Sequence, residues 1–215
     1  MEKAKNIIYK IWHSYVWLFI ILLAIDIITK NVVVVNLAHK SDPTITLIPG
    51  FLRIQYVVNT HAAFGIGADN PTINRVVYII VASLASIGII IAYIYKRKSL
   101  SAYYKACLML VLAGAIGNLI DRIFYTPSYL NNTYNGVVDW IDFCGIWAYH
   151  FNIADSCVVI AAFMLIIYMI IDEIKNYLEN KKDDNKKINN DKVLSKEEQE
   201  RLQIINNYKK EENKD

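Results

Sequence analysis

An all-α membrane protein is the fold class this chain predicts, with four transmembrane helices and a small extracytoplasmic β-sheet between the first and the second. Three observations predict it. Hydrophobic residues make up 55% of the 215, more than one soluble domain of this size usually holds. They gather into four long apolar runs, each close to the ~20 residues a helix needs to cross a hydrocarbon core. The basic residues leave a net charge of only +3 and cluster by segment, so their placement carries more information than their sum. Nothing in that charge pattern resembles a nucleic-acid footprint, and no nucleic-acid partner is expected.

The first ten residues carry Lys3, Lys5 and Lys10 and lead into a first span over about 14–35. That run is longer than the apolar core of a secretory signal, lacks a small-x-small cleavage site, and contains Asp26 and Lys30. Spaced i, i+4, those two share a helix face and can neutralise each other inside a bundle. A structural ion pair and a contact to a functional site are both open to them.

Residues 36–74 are mixed, with Asp42-Pro43 and Pro49-Gly50 as turns and Ile45 to Ile48 and Phe51 to Val58 as strand-like runs. A small extramembrane sheet is expected there. It runs into Asn59-Thr60-His61-Ala62-Ala63-Phe64-Gly65-Ile66-Gly67, where small residues permit close backbone approach and Asn59 offers both a donor and an acceptor. A tight loop closing a hairpin would read the same way.

The second span is expected over about 76–95, ending in Lys96-Arg97-Lys98, and the third over about 102–124. The basic loop between them matches the lysine-rich N-terminus, so both belong in the cytoplasm by the positive-inside rule. Residues 125–152 contain no Lys or Arg and belong outside. A fourth span over about 153–171 returns the chain, leaving both termini cytoplasmic. From Asp172 roughly half the residues are charged, with both signs mixed. Residues 1–171 therefore form the membrane domain, and 172–215 a cytoplasmic tail expected to lack stable structure.

Two carboxylates stand out against this frame. Asp139 lies in the apolar run Val137-Val138-Asp139-Trp140-Ile141, and Asp155 in the first turn of the fourth span. An acid at a membrane boundary is costly, so each is a candidate functional group, and each is the other's candidate partner. Asn152 as an N-cap with Asp155 three residues on also makes a capping-box-like start, a structural reason for Asp155. The third span closes in Gly114-Ala115-Ile116-Gly117-Asn118-Leu119-Ile120-Asp121-Arg122. Its small residues allow close helix approach, and Asn118 and Arg122 share a face. A snorkelling Arg122 paired with Asp121 is the bland alternative.

Other chemistries find little support. Cys107, Cys144 and Cys157 have no paired spacing, so neither a disulfide framework nor a sulfur metal site is expected. His61 and His150 could join the acids around zinc only without any ligand spacing to recommend it. Neither Cys144 with His150 nor Ser156 carries the companions of a nucleophile. No metal or other cofactor is expected.

Five blocks now share one likeness. Asp26-Ile-Ile-Thr-Lys30, Asn59-Thr-His-Ala-Ala-Phe64, Gly117-Asn-Leu-Ile-Asp-Arg122, Val137-Val-Asp-Trp-Ile141 and Phe151-Asn-Ile-Ala-Asp-Ser156 resemble, in the same order, the motif series of the bacterial lipoprotein signal peptidases (signal peptidase II). The resemblance implies a four-helix aspartyl protease of the bacterial cytoplasmic (inner) membrane, its active site near the outer face. It further implies that prolipoproteins are its substrates, cut just before the lipid-modified cysteine, with membrane lipids around it and action as a monomer. Asp139 and Asp155 would be the catalytic dyad, with Asp26, Lys30, Asn59, Asn118, Arg122 and Asn152 around it. The chain departs from the family where His61 replaces the usual Gly, in a longer loop over 125–135, and in the charged tail.

Physical chemistry leads to a compatible mechanism. Two close carboxylates cannot both ionise easily and tend to share one proton, giving a base to activate water and an acid for the scissile carbonyl. Asp155, near a helix N-terminus, is expected to be the more readily ionised member, and Asp139 among apolar neighbours the more frequent proton holder. A proton- or ion-coupled transporter is the alternative, since intramembrane charges also mark ion paths. A purely structural membrane protein is the third, and it leaves Asp139 without a role.

Overall fold

A computed structural model describes residues 2–61, 70–124 and 136–212. Five helices and three strands follow in the order α1 (Glu2–Ser14), α2 (Val16–Leu37), β1 (Thr44–Ile48), β2 (Leu52–Asn59), α3 (Pro71–Lys96), α4 (Ala102–Phe124), β3 (Val137–Asp142) and α5 (Ile153–Glu212). By contact, the chain divides into Met1–Leu165 and Ile166–Asp215. The first unit holds all the strands and α1 to α4 with the start of α5. The second is the remainder of α5, helical through Glu212 over residues whose composition predicted little stable order. Glu, Lys, Gln and Leu are good helix formers, and their propensity continues the helix past the apolar segment.

Four helices are long and apolar enough to cross a membrane: Val16–Leu37, Thr72–Lys96, Ala102–Phe124 and Ile153–Asp183. Their outward faces carry rows of exposed apolar residues, among them Ile20, Ile28 and Val32 on α2 and Ile80, Leu84 and Ile87 on α3. Such surfaces have no place in water, and lipid is the solvent that tolerates them.

The span boundaries differ from the sequence expectation for local reasons. Tyr15 sits at φ 59°, ψ 4°, a left-handed geometry that interrupts the helix. The first span therefore starts at Val16, and the residues before it form the separate α1. The third helix begins earlier than 76, because Asn70 Oδ1 accepts from the backbone N–H groups of Thr72 and Ile73 with Pro71 at the first helical position. An Asn-Pro pair in this arrangement starts a helix efficiently.

α4 is the central helix. Nearly half of its apolar window is buried (44%), against 17% or less in the other three. It approaches α5 at Gly114, where an added Cβ would stand 2.5 Å from the Ala154 carbonyl oxygen. Apolar clusters of Tyr93, Met109 and Leu112, and of Leu110, Cys157 and Ala161, fill the seams on either side of α4.

The sheet expected between the first two spans has a third strand. β1 and β2 form an antiparallel hairpin turning at Gly50 (φ +72°), and β3, from beyond α4, pairs antiparallel with β2 to give the order β1-β2-β3. Val138 of β3 and Tyr56 of β2 pack on Val33 and Leu37 at the end of α2. That cluster fixes the sheet to the end of the bundle where α2 and α4 finish and α5 starts.

Candidate active site

Asp139 is the middle of β3 and only 1% exposed. Its register partner is Val57, and two positions further along the same ladder Asn59 opposes Val137. This pairing swings the Asn59 side chain onto the acid: Asn59 Nδ2 donates to Asp139 Oδ2 at 2.8 Å, and its Oδ1 accepts from the His61 backbone N–H at 2.9 Å. The other oxygen, Oδ1, accepts from Asn152 Nδ2 at 2.8 Å.

Asp155 lies in the first turn of α5. Its Oδ2 accepts from the Asn152 backbone N–H at 3.1 Å, while the Asp155 N–H donates to Asn152 Oδ1 at 2.9 Å. This is the reciprocal cap expected from spacing, with Asp in the acidic position. Its Oδ1 accepts from Asn118 Nδ2 of α4 at 2.8 Å. Asn152 is fully buried, and its Nδ2 lies near Asn118 Oδ1, the Val138 carbonyl and Asp139. One asparagine thus touches both acids.

Beneath the pair sits a buried ammonium. Lys30 Nζ lies 2.7 Å from Asp26 Oδ2, 3.0 Å from Asp121 Oδ2 and 3.1 Å from Asn118 Oδ1, giving its three N–H donors three acceptors. Each partner carries the constraint onward. Asp26 Oδ1 accepts from the Ala154 N–H at the start of α5, and Asp121 Oδ2 from the Val138 N–H next to Asp139. The ion pair read from the i, i+4 spacing exists, but it extends to a third residue and ties α2 to α4, α5 and β3. Gly117 makes room for it, since a Cβ there would stand 2.6 Å from Asp26 Oδ2.

Arg122 does not pair with Asp121. Its guanidinium donates to the carbonyls of Asn118 and His61 and lies 5.1 Å over the Tyr78 ring. The end of α4 is held in turn by Arg75, which donates to the carbonyls of Arg122 and Ile123. Sequence reasoning left Asp121 and Arg75 off the site. Asp121 had one usable signal, its i, i+3 spacing from Asn118, whereas nothing in the sequence around Arg75 points to the end of α4 that it reaches.

Burial is the main force on Asp139. It pushes the carboxyl up to about 7, and the negative charge of Asp155 adds to the rise, while the donors of Asn59 and Asn152 and the Lys30 charge oppose it. Asp139 can therefore hold a proton near neutral pH. The arrangement offers a carboxyl able to donate, a second carboxyl supplied with donors at a helix start, and three amide side chains that fix both. His150 turns elsewhere, its Nε2 3.0 Å from Gln55 Oε1 on the sheet. Among the described residues no group of three His, Cys, Asp or Glu is placed to hold a metal ion. Residues 62–67 of the Asn59 block and the long loop 125–135 fall outside the described residues.

Comparison with known proteins converges on one family. Residues 18–171 match the family model described as Signal peptidase (SPase) II. A lipoprotein signal peptidase of Clostridioides difficile (strain 630) is 36% identical over 163 residues, covering 75% of this chain and 98% of that protein. One from Fusobacterium nucleatum is 35% identical, covering 71% of this chain and 84% of that one. Among solved structures, a bacterial membrane enzyme determined by the in meso method at 2.3 Å resolution superposes with a TM-score of 0.60 at 26% identity, over 74% of this chain and 89% of the other.

Proposed function

The chain belongs to the signal peptidase II family, and on that premise we propose that it is an aspartic endopeptidase that removes the signal peptide from prolipoproteins, cutting before the diacylglyceryl-modified cysteine. The carrying observation is the bridge through Asn152, which hydrogen-bonds Asp139 and Asp155 at once. Two acids sharing an amide in a buried setting are what a proton-sharing pair requires. Family membership also displaces the transporter considered from the sequence.

In the proposed reaction Asp155, as carboxylate, takes a proton from a water molecule whose oxygen bonds to the scissile carbonyl carbon. Asp139 gives its proton to the carbonyl oxygen, and a neutral gem-diol forms. Asp155 then passes its proton to the leaving nitrogen as the C–N bond breaks, and Asp139 recovers a proton from the gem-diol hydroxyl. The products are the signal peptide's carboxylic acid and a free amine on the modified cysteine, and no covalent enzyme intermediate arises. Asn59, Asn118 and Asn152 hold the acids by direct hydrogen bonds; Asp26 and Lys30 hold those elements from below; Arg122 ties the end of α4 to His61.

The site lies at the bundle end away from Lys96, Arg97 and Lys98, so the positive-inside rule puts it and the sheet near the outer face of the cytoplasmic membrane, with both termini inside. The peptidase body is 1–171, with 172–215 as a cytoplasmic tail, working as a monomer among membrane lipids. The test is cleavage of a diacylglyceryl-modified prolipoprotein by the purified chain in lipid, compared with Asp139→Asn and Asp155→Asn. Release of the signal peptide by wild type, with near-complete loss in two folded variants, supports the proposal. Substantial turnover by either variant removes the dyad from it.

A further inference from the structure

The helix α1 takes no part in the site. It meets the beginning of α2 and leaves Tyr9, Ile11 and Trp12 61%, 54% and 61% exposed. At 3.6 residues per turn its sequence is amphipathic, with Tyr9 and Lys5 falling outside the two faces. In sequence, apolar residues recur at 4, 7, 8 and 11 with Trp12 following, and Asn6, Lys10 and His13 fall at the complementary helical spacing. Lys3, Lys5 and Lys10 face a single acid, Glu2.

We propose that α1 lies in the plane of the cytoplasmic leaflet, with its apolar stripe at the headgroup and acyl boundary and its lysines on anionic phospholipid. Three observations identify that occupant. The left-handed Tyr15 ends α1 before α2 begins, so α1 is a separate helix and not an extension of the span. Tyr93 Oη donates to the Ser14 carbonyl, which holds the junction beside the end of α3 that carries Lys96, Arg97 and Lys98. α1 therefore leaves the bundle at its basic end, where a surface of opposite charge is the complementary partner. At the junction Trp12 stacks on Trp17 with ring centroids 4.7 Å apart, and Trp17 Nε1 donates to the Trp12 carbonyl. Tryptophans with an apolar body and a satisfied polar edge are the residues that settle at a membrane interface. An amphipathic, lysine-bearing helix that adjoins a span lies on lipid for the same reasons. This rests on the sidedness proposed above.

The test uses the full chain, one copy per nanodisc, in phosphatidylcholine alone or with about one-third phosphatidylglycerol. A nitroxide is placed by Asn6→Cys, Lys10→Cys or Ile11→Cys in a Cys144→Ser background, and its access to oxygen and to a water-soluble nickel complex is read. With phosphatidylglycerol present, the label at position 11 is expected to favour oxygen severalfold over those at 6 and 10. Replacing Lys3, Lys5 and Lys10 by Gln should bring it back toward the aqueous value. Equal aqueous access at all three positions overturns the proposal. So does protection that is the same without the anionic lipid, or that needs two copies in one disc. Cleavage assayed in the same discs keeps this outcome separate from the peptidase proposal.

Discussion

Asn152 and Asp155 hold each other across the start of α5, the backbone N–H of each donating to a side-chain oxygen of the other at 3.1 and 2.9 Å. The same Asn152 gives its amide nitrogen to Asp139 at 2.8 Å. A helix cap and the spacing of two acids are thereby one structure, and the position of Asp139 relative to Asp155 depends on the residue that caps α5.

Asn152→Ala should separate these two roles. Loss of the cap costs about 1 kcal/mol of stability, and leaving the buried partners of its amide nitrogen unsatisfied costs a further ~1–3 kcal/mol. Turnover should fall by roughly 100-fold or more, because misplacing a reacting group by about an ångström costs that much. A thermal melt in detergent beside kcat and KM checks it. Full activity would show that the acids are positioned without the amide.

The pH dependence follows from Asp139. Its carboxyl sits at about 7 when folded, so the proposed reaction, which needs that proton, should lose rate as pH rises through about 7. The folded state also holds the proton more tightly than the unfolded chain, whose aspartates titrate near about 4. Stability should therefore fall as pH climbs from about 4 to about 7. Asp139→Asn should make that slope shallower. Melting temperature measured across the window, and a pH-rate profile of wild type, read the two effects; a rate still rising above pH 8 would contradict the assignment.

Asp139→Asn also carries a local cost of its own. Both oxygens of Asp139 accept from amide nitrogens, so an amide there turns its own NH2 against a donor. Destabilisation of about 1–3 kcal/mol is expected, and the comparison of activities should be made below the lowered melting temperature. Equal melts for wild type and variant near pH 5 would argue against the two donor contacts.

Lys30→Met should be among the most disruptive single changes. It leaves Asp26 and Asp121 buried with no cation between them, and removing one member of a buried ion pair costs about 3–5 kcal/mol. The stability deficit should shrink when Asp26→Asn and Asp121→Asn are added, since the uncompensated charge is then gone. Melting of the single and triple variants in one detergent gives the comparison.

Gly117→Ala tests close approach. The added Cβ would stand 2.6 Å from Asp26 Oδ2 and 3.1 Å from the Ala154 Cβ, so either the Asp26 carboxylate leaves its place against Lys30 or α4 shifts from α2 and α5. A loss of about 1–3 kcal/mol is expected, with a larger fall in turnover because Asn118 is the next residue. Gly88→Ala, where nothing lies within 4 Å, is the matched control and should be close to neutral.

Much was legible in the sequence, because the relevant physics is local or periodic. Four apolar runs of bilayer length announce four spans, alternating short runs announce β1 and β2, and Asn152 with Asp155 announces a cap three residues apart. The i, i+4 spacing of Asp26 and Lys30 likewise contains their ion pair. The break at Tyr15 carried no such sign, because tyrosine has no preference for a left-handed geometry. The charged residues after Asp172 gave no apolar pattern to follow, although their helix propensity was there to be summed.

What the tertiary structure alone decided is where distant segments meet. β3 lies far along the chain from β2, and only their register brings Asn59 to Asp139. Asp121 is drawn to Lys30, and away from its neighbour Arg122, because folding places α2 beside α4 and buries the ammonium where a second carboxylate is the available compensation. Spacing along one helix fixes which residues share a face. Which charge on another element will neutralise them is settled by packing, since desolvation penalises every arrangement that leaves one unpaired.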